Sequence, residues 1–159
     1  MENDFKAVRI VKSHELMLNA DVKTVFPLLC PVKERDWVNG WETDSTLIYS
    51  QSGIAEEACI FESNLPEGRA VWICSKYDPK NNEIVYIKHI LDKAIIQWGF
   101  KLKDHPENKS IAEITYNITG LSDEGNKFSE GFMETGFSSL MHWFDESLNY
   151  YLETGKMKK

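Results

Sequence analysis

The sequence is short of most features by which a chain declares its chemistry. No apolar run approaches the ~20 residues that span a bilayer, so membrane insertion is not expected. The opening stretch MENDFKAVRI carries charge where a secretory leader carries an apolar segment. No signal peptide is therefore expected, and a cytoplasmic location is. Positive charge is scarce: 18 Lys and Arg stand against 25 Asp and Glu, for a formal charge of −7. The one basic cluster, GKMKK at 155–159, reads as a solvated end. Nucleic acid and anionic membrane surfaces need clustered Lys and Arg and are not expected partners. Cysteine is limited to Cys30, Cys59 and Cys74, an odd number without CxxC spacing. These read as reduced, buried small hydrophobes, and the sequons at Asn108 and Asn117 as chance matches.

Catalytic and metal signatures are missing as well. His14, His89, His105 and His142 show no metal-ligand spacing, and there is no HExxH and no paired Cys/His set, so neither a metal nor a cofactor is expected. The chain has no GxSxG, no Walker loop, no GxGxxG and no cysteine with an evident base. Nucleophilic hydrolysis, phosphoryl transfer and dinucleotide binding are left without support.

What is present is an ordered series of elements. At 159 residues and 42% hydrophobic content the chain suits a single domain over 1–159 with a sizeable core. Residues 7–18 alternate loosely and read as a strand, with Leu16 and Leu18 on one face. Asn19 suits an N-cap for a helix over 20–30, where Val22, Val25, Phe26 and Leu29 take helical spacing and Pro27 is tolerable near the start. VKERDWVNGW then reads as a second short helix ending near Gly40. Six strand-like segments follow between 46 and 120, separated by turns such as NLPEG, DPKNN and DHPENK, which favour antiparallel hairpins. In 94–102 and 111–119 one face is apolar and the other wet, whereas 70–77 and 84–91 carry bulky residues on both faces and stay unassigned. Residues 127–154 read as a long helix with an apolar stripe through Met133, Phe137, Met141, Phe144 and Leu148, closed by Gly155. Gly131 and Gly136 inside it mark a late start, a bend, or room for something bulky.

Strand, two short helices, six antiparallel strands and a long C-terminal helix: this order resembles the START-like (SRPBCC) superfamily of Bet v 1-like and polyketide cyclase-like proteins. LMLNADVKTVFPLL looks like that family's first strand and helix, ERDWVNGWE like its charged second helix, VWICSKYDPKNNEIVYI like its central hairpin, and SLNYYLETGK like its helix end. The resemblance implies an α+β helix-grip fold, in which a curved antiparallel sheet of about seven strands wraps the long helix around an internal cavity. Trp37 and Trp41, spaced i, i+4, would share a helix face and close one end, Trp37 as a pin to the core and Trp41 nearer a ligand.

The function expected from this reading is binding of a small apolar or amphipathic molecule. Walls are expected from Trp98, Phe100, Ile114, Tyr116, Phe137, Met141 and Phe144, with Trp41 near the mouth and His14 as a polar contact. His14 is placed inward because it alternates with Leu16 and Leu18; Glu62, Glu113 and the Lys88–His89 pair are further polar candidates, Glu113 falling on a wet face. Two other readings follow from the resemblance: a polyketide cyclase or dehydratase in which His14 or Tyr116 handles an enolate, and a protein-interaction module like the Hsp90 ATPase activator.

Overall fold

The computed structural model describes residues 4–159. Seven strands form one antiparallel sheet in the order β1-β7-β6-β5-β4-β3-β2. They are β1 (Arg9–Leu18), β2 (Ser45–Tyr49), β3 (Ile60–Leu65), β4 (Gly68–Asp78), β5 (Glu83–Ile90), β6 (Ala94–His105) and β7 (Lys109–Gly120). The alternation in β6 and β7 sets their faces: Trp98 pairs with Tyr116 and Phe100 with Ile114, all toward the interior. The strands with bulky residues on both sides are also settled. Trp72, Tyr86, Lys88 and Ile90 point in, while Ile73, Ile87 and His89 point out. A register shift between Cys74 and Lys76 places a bulge in β4, the kind of irregularity that raises local twist and bends a sheet. Cys30, Cys59 and Cys74 are buried and unbridged.

The long helix is three pieces. α3 (Asp123–Gly131) starts four residues earlier than the apolar stripe suggests, because the Ser122 hydroxyl accepts a hydrogen bond from the Gly125 amide and caps it. A π-helical turn over Phe132–Gly136 leads into α4 (Phe137–Thr154), which ends at Gly155 in the left-handed region, φ 66°. Lys12 from β1 donates to the Met133 carbonyl inside the π turn, serving an acceptor that the turn's altered spacing leaves available. Gly136 makes the expected room: a Cβ there would stand 2.7 Å from the Phe132 ring. Any side chain at 136 therefore displaces that ring.

Between β1 and β2 the chain is more broken than the expected pair of helices. Asp21, not Asn19, caps α1 (Val22–Val25), accepting from the Thr24 amide at 3.0 Å and the Thr24 hydroxyl at 2.7 Å. Pro27 lies in the 3₁₀ turn Phe26–Leu29, a second 3₁₀ turn covers Lys33–Asp36, and α2 is the single turn Trp41–Asp44. Trp37 and Trp41 do not share one helix, because Gly40 between them adopts φ 83° and breaks it.

Candidate functional site

The sheet and the long helix enclose a cavity of about 440 Å³. All five tryptophans of the chain line it. Trp72 and Trp98 come from the sheet, Trp143 from α4, and Trp37 and Trp41 from the segment ahead of β2. That convergence accounts for two tryptophans in a polar stretch. The Trp37 indole donates to the Leu28 carbonyl and the Trp41 indole to the Pro31 carbonyl, each at 2.9 Å, so each ring is tied to the turns before it. Trp37 then stacks on Trp143 at 6.0 Å and meets Phe144 edge-on at 5.1 Å, bridging this segment to α4. Trp41 meets Trp72 edge-on at 6.3 Å, bridging it to the sheet. Both tryptophans are buried.

The opposite wall is set by the π turn. Phe132 stacks on Tyr116 at 5.4 Å and stands 6.2 Å from Phe128. Phe100 and Phe144 stack at 5.7 Å behind them.

Few polar groups reach this space. Lys88 is buried on β5, ion-paired to Glu67 at 2.5 Å, with its ammonium 4.7 Å from the Trp72 ring centre. Burial lowers its pKa, and the Glu67 carboxylate opposes that shift. Glu34, on the second 3₁₀ turn, has its carboxyl pushed up to about 8 by desolvation, with no hydrogen-bond or ion-pair partner among the described residues. The Tyr116 hydroxyl is likewise without a protein partner there, and burial followed by the nearby Glu67 charge raises its pKa. The Trp98 indole N–H is buried and unpaired. Tyr86 is satisfied: its hydroxyl donates to the Leu29 carbonyl at 2.7 Å, and burial, then Glu34, holds it protonated.

Of the residues read from sequence, Trp41, Trp98, Phe100, Tyr116 and Phe144 line the cavity. Ile114, Phe137 and Met141 are buried behind the walls, with Phe137 supporting Tyr116 at a ring distance of 5.6 Å. His14 is a correction. It pairs with Ile114 and so shares the inward face, but it is exposed and outside the cavity. β1 is an edge strand, and alternation names a face without saying whether anything covers it. Glu62 is taken by Arg69 at 2.7 Å, and His142 is exposed on α4. Glu34, Glu67 and Trp72 were not singled out from sequence. Lys88 was marked only as one of two neighbours of which one must face inward. Among the described residues no cluster of His, Cys, Asp and Glu is arranged to hold a metal, and no helix is long and apolar enough to cross a membrane.

The sequence itself matches no family model and no curated protein. The fold does find relatives. Norcoclaurine synthase from Thalictrum flavum superposes with a TM-score of 0.69 at 14% identity, covering 93% of this chain and 88% of that one. This chain has the START-like helix-grip fold. A START superfamily protein from Mycobacterium smegmatis superposes on it at 0.61, with 10% identity over 88% of this chain and 97% of that one. A hypothetical protein from Helicobacter pylori does so at 0.68, again with 10% identity, over 89% and 87%. At such identities the START-like likeness is one of backbone. The cavity side chains have to be read from this chain alone.

Proposed function

We propose that the protein binds a small, largely apolar molecule in the cavity between sheet and C-terminal helix. The observation that supports this most is the convergence of all five tryptophans on one enclosed space of about 440 Å³. Tryptophans brought together from four parts of the sequence form walls with few polar breaks, as ligand sites do. Among START-like structures, norcoclaurine synthase has been solved with dopamine and hydroxybenzaldehyde, both small and ring-containing. The first test is native mass spectrometry of freshly purified protein, then denaturing extraction. A discrete added mass that disappears on denaturation is the expected result. The companion measurement is tryptophan emission during titration with neopentylbenzene, a neutral apolar probe. Saturable change in most of the emission is expected, and an unaltered spectrum both with this probe and with its cationic isostere benzyltrimethylammonium refutes the proposal.

A catalytic reading has one observation in its favour. Glu34, with a carboxyl at about 8, lines the same cavity as the unpartnered Tyr116 hydroxyl, and a carboxyl in that range suits acid–base work near neutrality. This supports a cyclase or dehydratase handling a polyketide-like carbonyl compound. Loss of His14 from the interior removes one of the groups expected to act in it. If Glu34→Gln and Tyr116→Phe leave turnover of a screened carbonyl substrate intact, the reading is wrong.

A further inference from the structure

Besides its tyrosines the cavity is lined by three acidic or basic side chains, of which only two pair. Lys88 and Glu67 neutralise one another across 2.5 Å. Glu34 is left over: it lines the same space, and no cation among the described residues pairs with it, including Arg35 beside it in the chain. Around it stand aromatic faces: Trp37, Trp41 and Tyr86 line the space with it. An unpaired carboxyl in a low-dielectric site is costly when ionised, and aromatic faces attract cations.

Resting on the cavity-binding proposal, we infer that its ligand is an organic cation: an ammonium group on an apolar body, its charge pairing with Glu34 and its remaining surface meeting the aromatic faces. An anionic ligand fits poorly, because Lys88, the one Lys or Arg lining the cavity among the described residues, is already engaged by Glu67. A neutral ligand leaves Glu34 with no partner but its own proton.

The charge balance gives the inference a signature. Desolvation holds Glu34 protonated up to about pH 8, so a cation arriving at pH 7 favours the ionised carboxylate and releases one proton. Of the other titratable groups lining the cavity with Glu34, Tyr86 from β5 stays protonated, Lys88 and Glu67 are paired, and Tyr116 from β7 is raised. α4 contributes Leu140, Trp143 and Phe144, none of which titrates, and Lys33, Arg35 and Asp36 lie on Glu34's own turn.

The test titrates the full chain with benzyltrimethylammonium, whose charge does not change with pH, and with its neutral isostere neopentylbenzene. Between pH 7 and pH 9 the ionised fraction of Glu34 rises from about a tenth to about nine-tenths. Affinity for the cation is expected to rise about tenfold over that interval, while affinity for the isostere stays level. Calorimetry at pH 7 in two buffers of different ionisation enthalpy is expected to report release of close to one proton. Glu34→Gln is expected to abolish the pH slope and lower cation affinity about tenfold at pH 9, with circular dichroism verifying its fold. Equal, pH-independent affinities for both probes overturn the cation inference and leave the cavity proposal standing. Failure of both probes to bind overturns the two together.

Discussion

The two ends of the molecule's interior are built from the same sheet and the same helix, yet only one is hollow. At one end α1 packs against β6 and β7, and α4 packs against β1. Its residues include Leu18, Val25, Leu102, Ala112 and Leu148, all buried and all aliphatic. Branched aliphatic side chains interdigitate and fill volume. At the other end the sheet offers Trp72, Trp98 and Tyr116, and the covering elements answer with Trp37, Trp41 and Trp143. Rings meet at edges and faces and leave a void between them. The same contrast holds for charge: the filled end contributes none to the core, whereas the hollow end admits Lys88, Glu67 and Glu34.

The largest expected effect lies at the filled end. Leu148 is fully buried, and Leu148→Ala should cost about 2–5 kcal/mol in urea unfolding, through lost transfer energy and a cavity that cannot collapse. A smaller cost there means the end is looser than its burial suggests. Next comes the ion pair at the hollow end. Glu67→Ala strands the Lys88 ammonium, and because Glu67 is partly exposed the expected loss is about 2 kcal/mol, below that of a fully buried pair. Lys88→Met in the same background should restore most of it, and the double-mutant cycle is the measurement.

Glu34 sharpens the comparison through pH. Its carboxyl pKa is raised in the folded state from 4.5 to about 8, so above pH 4.5 the unfolded chain gives up a proton that the folded chain keeps. Stability from this group therefore falls from about pH 4.5 to about pH 8 and then levels. Glu34→Gln should flatten that fall and raise the melting temperature at pH 8; an unchanged pH–stability profile contradicts the desolvation of this carboxyl. The smallest effect is expected at Trp98, whose indole N–H is buried and unpaired. Trp98→Phe removes an unsatisfied donor along with some ring area, so stability should change by less than about 1 kcal/mol. A loss comparable to that of Leu148→Ala would mean that the hollow end is as tightly packed as the filled one.

Legibility in the sequence followed the same division. Strands β6 and β7 were readable because each carries a wet face, and a period of two is visible only when the faces differ. β4 and β5 carry bulky residues on both sides, so Trp72 and Lys88 could not be oriented until pairing with β3 and β6 assigned their faces. Within 26–40 the expected helices give way to 3₁₀ turns, since turns of four residues are too short to show a period, and a single positive φ at Gly40 redirects Trp41. His14 was oriented correctly and placed wrongly, since its edge strand has a neighbour on one side only.

The sequence by itself determined the order of elements, the inward faces of the amphipathic strands and the stop of the last helix at Gly155. Each is a local property, set by backbone preference or by contrast between neighbouring side chains. Only the tertiary structure decided that Trp72 and Trp143 join the other tryptophans around one space and that Lys88 meets Glu67 across 21 positions of chain. It also decided that Glu34 is left without a cation. Charges are tolerated inside a protein according to their partners, and partners brought together by sheet pairing and helix packing leave no periodic trace in the chain.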